Sequence, residues 1–161
     1  MEFVCTACGK REPITTLKPC CDCGGLWELE AELPDFSLEA IDREQWNQFR
    51  YHQFMALEDD TWRSITLGEG LSPIVPFNQD ILLKMDYFMP TLSFKDRGAA
   101  VLVAHCKALG VDRVVQDSSG NAGNAVAAYC GRAGIACEIF VPEGTSPKKI
   151  TMIQAHGAKV N

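Results

Sequence analysis

The stretch Pro90–Gly98 carries the residue with the clearest chemical potential in this sequence. Ser93 followed by Asp96 has the form of a capping box, which predicts that a helix begins here. Lys95 then lies in the first helical turn, where the positive end of the helix dipole disfavours an ammonium group. A lysine placed there and partly removed from water has a lowered pKa, as an amine nucleophile requires. The alternative is a surface lysine that precedes a solvated Asp-Arg pair.

The N-terminal cysteines have the spacing of metal ligands. Two Cys-x-x-Cys turns, Cys5/Cys8 and Cys20/Cys23, are separated by eleven residues, and a glycine follows each turn. Four thiolates complete a tetrahedral zinc site, and four protein ligands leave no open position, so the predicted zinc is structural. Cys21 can compete for the metal, although Cys21-x-Cys23 makes a poorer bite than Cys20-x-x-Cys23. The alternative is a small ribbon that has lost its metal.

A loop of small residues, Ser118–Asn124, has chemistry of its own. Its hydroxyl groups, its backbone amides and the helix that follows form a cradle for a carboxylate or phosphate. Asn121 can donate an amide hydrogen bond to a ligand oxygen. The alternative is an ordinary strand-to-helix turn with asparagine as a cap. The glycine spacing matches neither the dinucleotide fingerprint nor the P-loop.

Alternating helices and strands position both motifs. After Lys95 the pattern predicts a helix that Gly110 ends, and three strands alternating with two helices follow. The expected ranges are strands 111–116, 137–141 and 157–160 and helices 125–134 and 146–156. Such alternation predicts an α/β fold with a parallel sheet and right-handed βαβ crossovers. Ligands of such sheets lie at the carboxyl ends of the strands, where both motifs belong.

The chain is expected to have three parts. Residues 1–33 form a zinc-ribbon-like module, in which 26–33 supply the last strand. Residues 34–77 form a linker, a helix and a loop segment, and Asp42 is the expected N-cap of a helix that runs to about Leu57. In that helix, an aromatic stripe with Trp46 and Phe49 is expected to face the core or the ribbon. Residues 78–161 hold the βαβ units.

Composition excludes several classes of function. The chain has 161 residues, an apolar fraction of 47% and a charged fraction of 22%, as in ordinary soluble proteins. Its net charge of −6 argues against a nucleic-acid partner, and no apolar run is long enough to cross a membrane. Eight cysteines without a secretory signal indicate metal ligands and buried thiols in a reducing cytoplasm.

Three motifs in order carry a resemblance to a known family. They are Leu67–Ile74 (LGEGLSPI), Pro90–Gly98 (PTLSFKDRG) and Ser118–Asn121 (SSGN). Together they resemble the threonine synthases, and more broadly the tryptophan-synthase-β (fold type II) family of pyridoxal-phosphate (PLP) enzymes. The N-terminal cysteine turns resemble the zinc ribbon of some threonine synthases. The resemblance spans nearly the whole chain.

The resemblance implies a role for each motif residue. Lys95 is expected to bind PLP covalently and to shuttle protons, Phe94 to pack on the cofactor ring, and Asn121 to hydrogen-bond the phenolic oxygen of that ring. The substrate carboxylate is expected to contact Ser118, Ser119 and Gly120. The implied reaction converts O-phosphohomoserine and water to threonine and phosphate.

Two departures from the family pattern stand out. Leu92 stands where many relatives have glycine. The relatives are at least twice as long, so we expect an N-terminal fragment that is inactive alone and exposes apolar surface, which favours a homo-oligomer. The alternatives are a threonine or serine dehydratase, a synthase of another amino acid, or a non-catalytic binding module built on the same half-fold.

Overall fold

The N-terminal cysteines are carried by a three-stranded antiparallel sheet. Its strands are β1 (Glu2–Cys5), β2 (Arg11–Pro13) and β3 (Trp27–Glu30), in the order β2-β1-β3. Alternating residues predicted the last strand, which is shorter than expected. Arg11 links the three strands, since its guanidinium contacts the Glu2 carboxylate at 2.9 Å and the Glu30 carboxylate at 2.7 Å.

The helix predicted from Asp42 to Leu57 is wrong. In its place the structure has turns and a 3-10 helix, Gln48–Phe54, which is kinked at Tyr51. Asparagine and aspartate side chains compete for the backbone amides, because Asp42 Oδ1 accepts from the Glu44 amide at 3.0 Å and Asn47 Oδ1 from the Phe49 amide at 2.8 Å. The aromatic stripe does not form either, since Phe49 is buried and Trp46 is 80% exposed.

The computed structural model describes residues 1–161, which form two compact units. The first unit comprises 1–41 with 51–56, and the second comprises 42–50 with 57–161. In the second unit, Phe49 stacks on Trp62 of α1 (Trp62–Ile65) with ring centroids 4.8 Å apart. An antiparallel hairpin of β4 (Ile74–Pro76) and β5 (Leu82–Lys84) follows. None of the helices has the length and apolar character that crossing a membrane requires.

The rest of the second unit is the predicted α/β arrangement. After α2 (Lys95–Ala108) come β6 (Arg113–Asp117), α3 (Asn121–Ala133), β7 (Ala136–Phe140), α4 (Pro147–Ala155) and β8 (Lys159–Val160). The three strands are parallel and lie in the order β6-β7-β8. The predicted parallel sheet with βαβ units is therefore confirmed. Gly110 ends α2 as predicted: its φ is +71°, and its amide donates to the Lys107 carbonyl at 3.0 Å.

Helices α2 and α3 pack side by side, and their C-terminal ends lie together, so the two helices run in the same direction. The Lys107 ammonium near the end of α2 donates to the carbonyl of Ala133, the last residue of α3, at 3.0 Å. Each helix is joined at one end to β6 by a short loop, so α3 begins where β6 ends. The beginnings of both helices, at Lys95 and Asn121, therefore face the carboxyl edge of the sheet.

Candidate functional site

Lys95 is the first residue of α2, and its side chain is exposed. The Lys95 ammonium lies 4.9 Å from the ring centroid of Phe94, whose side chain is 57% exposed. The partial removal of Lys95 from water that the sequence suggested is absent from this structure. The helix start is as predicted, and an amine and an aromatic face lie side by side at its first turn.

The turn before Lys95 is held by Asp96, although not as a capping box. The Asp96 carboxylate is buried and accepts two hydrogen bonds from Thr91, one from its amide at 2.7 Å and one from its hydroxyl. Ser93 Oγ accepts from the Lys95 amide at 3.3 Å, not from the Asp96 amide. The expected Ser93–Asp96 exchange is thus replaced by the two hydrogen bonds from Thr91 to Asp96.

Leu92 within this turn has a φ of +62°. This left-handed conformation costs a residue with a Cβ atom about 1–2 kcal/mol, and glycine adopts it freely. The backbone therefore gives a physical reason for glycine at this position. The Leu92 side chain is 66% exposed, so no close packing compensates for the strain.

Arg97, in the first turn of α2, anchors the segment that contains β4 and β5. Its guanidinium contacts Asp86 Oδ1 at 3.1 Å and Ser72 Oγ at 3.2 Å. The Ser72 hydroxyl also donates to Asp86 Oδ1. The hydrogen bond from Arg97, and then that from Ser72, lower the pKa of Asp86. The Leu67–Ile74 motif and the Pro90–Gly98 motif are thereby joined.

Glu69 is a buried residue that sequence reasoning did not single out. Its carboxylate accepts from the Tyr129 hydroxyl and the Leu67 amide, both at 2.9 Å, and from the Thr66 hydroxyl. Burial, and then the neighbouring Glu69 carboxylate, raise the pKa of the Tyr129 hydroxyl. The sequence signal that could have identified Glu69 is its position between Gly68 and Gly70, because two glycines around one residue indicate a sharp turn of the chain. These contacts tie the first motif to α3.

The first motif also contacts α2 through Gln48. The Gln48 amide donates to the Glu69 carbonyl at 2.6 Å, and its side-chain nitrogen donates to the Arg97 carbonyl at 2.9 Å. A Cβ atom at Gly70, whose φ is +108°, would lie 2.5 Å from the Gln48 nitrogen. Only glycine fits this approach.

The Ser118–Asn124 loop forms the predicted turn into α3. Ser118 Oγ accepts from the Gly123 amide at 2.9 Å and from the Gly120 amide at 3.4 Å, so it caps the helix. The Ser118 oxygen already accepts these hydrogen bonds within the protein. Ser118 can therefore bind a ligand by donating its hydroxyl proton. The side chains of Ser119 and Asn121 are exposed. The donors predicted for this loop thus lie together at the start of α3.

Four cysteine sulfurs meet at one end of the N-terminal sheet. The Sγ atoms of Cys5, Cys8, Cys21 and Cys23, which we name the cysteine cluster, all lie within 4.8 Å of one another. Cys5 and Cys23 are 3.5 Å apart, and Cys8 and Cys21 are 3.7 Å apart. Tetrahedral zinc with Zn–S bonds of about 2.3 Å places its sulfurs about 3.8 Å apart, so the cluster fits this metal.

One member of the cluster corrects the predicted ligand set, because Cys21 occupies the place expected for Cys20. Cys20 is exposed and lies outside the cluster. The Cys21 amide donates to the Gly25 carbonyl at 2.9 Å, much as the Cys5 amide donates to the Lys10 carbonyl at 2.9 Å. The second turn is one residue tighter than the first. The backbone turn at Cys21 brings its sulfur to the other three, although Cys-x-Cys spacing is less favourable for chelation than Cys-x-x-Cys spacing.

The residues at the carboxyl edge fit a PLP site. They provide an amine at Lys95, which can condense with the aldehyde of this cofactor, together with an aromatic face at Phe94 and an amide donor at Asn121. All three side chains are exposed at the first turns of two parallel helices.

Comparison with known proteins agrees with this chemistry. Residues 65–161 match the family model described as pyridoxal-phosphate dependent enzyme. A threonine synthase from Methanocaldococcus jannaschii is 31% identical over 97% of the chain and 42% of its own length. One from Mycobacterium leprae is 37% identical over 63% of the chain and 30% of its own length. The chain thus spans less than half the length of these curated relatives.

A solved structure provides a further match. The crystal structure of O-ureido-L-serine synthase is 27% identical, with a TM-score of 0.54, over 65% of this chain and 35% of that one. The family match covers more than half of the chain and contains Lys95, the Ser118–Asn124 loop and the parallel sheet. The chain therefore belongs to the family of pyridoxal-phosphate-dependent enzymes.

Proposed function

We propose that the chain contributes the lysine-bearing part of a threonine synthase-like lyase, which converts O-phosphohomoserine and water to threonine and phosphate. The observation that carries this proposal is the placement of Lys95 and Asn121 at the beginnings of two packed, parallel helices that face one sheet edge. Threonine synthases matching up to 97% of the chain support the choice of reaction.

In this proposal Lys95 holds PLP covalently and moves a proton to and from the substrate carbon. Bound PLP supplies an electron-poor ring that stabilises negative charge on that carbon. Phe94 covers one face of the ring, and Asn121 hydrogen-bonds its phenolic oxygen. The substrate carboxylate is held by Ser118, through its hydroxyl proton, together with Ser119 and Gly120.

We also propose that the cysteine cluster binds a structural zinc ion. Its four thiolates fill the coordination sphere and leave no open position for a substrate, so the metal stabilises the ribbon without taking part in the reaction.

We further propose that the chain is divided into three functional parts, residues 1–33, 34–77 and 78–161. We also propose a cytoplasmic location for the protein.

We propose that the protein acts as a homo-oligomer, because the β4–β5 hairpin exposes apolar side chains on both strands. Ile74 is 61% exposed and Leu82 is 66% exposed. Exposed apolar side chains on both strands of a hairpin favour association with another protein surface.

A second candidate activity is the synthesis of another amino acid by the same cofactor. The similarity to O-ureido-L-serine synthase favours it. Assays with O-phosphohomoserine, threonine and serine identify threonine synthase by the release of phosphate and the dehydratase alternative by the release of ammonia. Release of neither product would favour the synthesis of another amino acid.

The first experiment labels the lysine that PLP selects. The chain is incubated with PLP, reduced with borohydride and mapped by mass spectrometry, with Lys95→Ala as the control. We expect stoichiometric label at Lys95 and none in the variant. Label spread over all lysines, or no label at all, in this chain and in a version extended to the length of its relatives would contradict the enzyme proposal.

A further inference from the structure

Three cysteines of the second unit lie outside the cysteine cluster. They are Cys106 on α2, Cys130 on α3 and Cys137 on β7. Cys130 and Cys137 are buried, and Cys106 is partly exposed. Neither the zinc site nor the PLP site proposed above uses these thiols. Two of them nevertheless lie against each other, which opens a reaction that a single buried thiol cannot undergo.

Cys130 and Cys137 meet where α3 packs on β7. A Cβ atom at Gly123 of α3 would lie 3.0 Å from Ile139 Cγ2, so Ile139 faces this helix. Cys137 lies two residues before Ile139 on the same buried face of β7. Cys130 lies seven residues after Gly123, on the same face of α3. The Cys130 thiol is hydrogen-bonded to the Cys137 sulfur.

The two thiols of this pair have different surroundings. Cys137 is 8% exposed and lines an open cavity of about 530 Å³ at the edge where β6, β7 and β8 begin, whereas Cys130 is 0% exposed. The hydrogen bond from Cys130 lowers the pKa of the Cys137 thiol. The same bond, and then burial, raise the pKa of the Cys130 thiol. Cys137 is therefore the thiol that can react as a thiolate, and Cys130 is the protonated neighbour.

We propose that Cys137 and Cys130 are a redox-active pair that a peroxide oxidises to a disulfide. Cys137 is the thiol attacked first, since it reaches the cavity, and Cys130 resolves the product. Disulfides in a reducing cytoplasm are mostly transient and redox-sensing, and this pair fits that use because its thiols are free in the folded chain. The bond would join β7 to the helix that presents Asn121 at its other end.

The reaction has two balanced steps when hydrogen peroxide is the oxidant. The Cys137 thiolate attacks one peroxide oxygen, the O–O bond breaks, and hydroxide leaves a sulfenic acid on Cys137. The Cys130 sulfur then attacks the Cys137 sulfur, and the S–O bond breaks. The departing hydroxide takes the Cys130 thiol proton and leaves as water. Two thiols are thereby oxidised to one disulfide, and one peroxide is reduced to two molecules of water.

The first test treats the folded chain with hydrogen peroxide and maps its tryptic peptides by mass spectrometry. Cleavage after Arg113, Arg132 and Lys148 places Cys130 on peptide 114–132 and Cys137 on peptide 133–148, and Cys106 lies on peptide 98–107. We expect peptides 114–132 and 133–148 to be joined with the loss of two hydrogens, and dithiothreitol to separate them. Absence of this joined pair, or joining of Cys106 in its place, would overturn the proposal.

Matched variants separate the roles of the three thiols. Cys137→Ser should abolish the joined peptides, and Cys106→Ser should leave their yield unchanged although Cys106 is the more exposed thiol. In Cys130→Ser, which keeps a hydroxyl donor beside Cys137, dimedone should label Cys137 as the sulfenic acid. Dimedone label on Cys106 ahead of Cys137 would show that exposure alone governs oxidation and would contradict the proposal.

Unfolding the chain provides the control for folded structure. In urea, Cys106 and Cys137 of Cys130→Ser should be labelled alike, because the hydrogen bond and the burial are lost. Equal preference for Cys137 in the folded and the unfolded chain would assign that preference to local sequence and would count against the proposal. PLP labelling of Lys95 is measured separately, so failure of the proposed function and failure of the redox pair are distinguishable.

Discussion

The Tyr129 hydroxyl donates a 2.9 Å hydrogen bond to the fully buried Glu69 carboxylate. This bond joins α3 to the turn of the first motif, and the Glu69 carbonyl, through Gln48, joins the same turn to the start of α2. The two helices that present Lys95 and Asn121 are thus held by one buried acidic residue. Buried carboxylates need such donors, because an unpaired one is strongly destabilising.

Removal of the Tyr129 hydroxyl should therefore destabilise the fold. We expect Tyr129→Phe to lower the free energy of unfolding by about 1–3 kcal/mol, since the Glu69 carboxylate loses a donor that water cannot replace. Urea denaturation measures the change. Tyr87→Phe is the control, because Tyr87 is 57% exposed. Equal midpoints for the two variants would contradict the role of the buried bond.

Two glycines make a matched pair for backbone geometry. Gly70→Ala should cost at least about 2 kcal/mol, because φ is +108° and the new Cβ atom meets the Gln48 nitrogen at 2.5 Å. Gly98→Ala should instead stabilise the protein by about 0.5–1 kcal/mol, since Gly98 lies within α2 with open space around it. Thermal unfolding of both variants tests the prediction, and a destabilised Gly98→Ala would show that the assigned helix is wrong.

The cysteine cluster predicts which thiols bind zinc. Cys21→Ala should abolish stoichiometric zinc binding, and Cys20→Ala should retain it, because only Cys21 lies with the other three sulfurs. Zinc content after purification and after chelator challenge provides the measurement. The neighbouring positions make each variant the control for the other. Retained zinc in Cys21→Ala with loss in Cys20→Ala would restore the pairing expected from Cys-x-x-Cys spacing.

The Arg97–Asp86 pair predicts a dependence of stability on pH. Arg97 first, and then Ser72, hold the pKa of Asp86 below its ordinary value of 3.8 in the folded protein. Because the folded-state pKa is the lower one, the stabilisation is complete above the ordinary value and is lost as the pH falls through the folded value. The loss is small, since both side chains are partly exposed.

Urea midpoints between pH 7 and pH 3 measure this effect. Arg97→Met should give a shallower decline in acid than the unmodified chain, because its Asp86 has lost the main cause of the lowered pKa. Arg63→Met removes an exposed ion pair with Asp60 and should leave the decline unchanged. Parallel declines in the unmodified chain and in Arg97→Met would exclude a contribution from the pair.

Local patterns predicted most of the elements around the candidate site. The helix at Lys95, its end at Gly110 and the parallel strands follow from periodicity and from glycine, which act over a few residues. Chain-distant contacts were not predictable in this way. Glu69 and Tyr129 are sixty residues apart, and nothing in either segment alone indicates that they meet.

Competing short-range bonds explain the errors. Asp42 and Asn47 bind nearby amides and prevent the expected helix, and Asp96 binds Thr91 in place of completing a capping box. Cys21, which lies in the cluster in place of Cys20, has a backbone hydrogen bond to Gly25 that spacing alone does not predict. Cysteine spacing predicts that a metal site is present, whereas the path of the backbone determines which of two adjacent thiols belongs to it.

The order β6-β7-β8 has a consequence for how the chain folds during synthesis. Each strand pairs with the next one along the sequence, with one helix between them. Contacts between nearby segments form quickly, because little chain entropy is lost in closing the short loops. Since the ribosome releases the N-terminal side first, β6 and α3 are available when β7 emerges, and β8 adds to an edge that already exists. This sheet can therefore grow strand by strand while the chain is still being made.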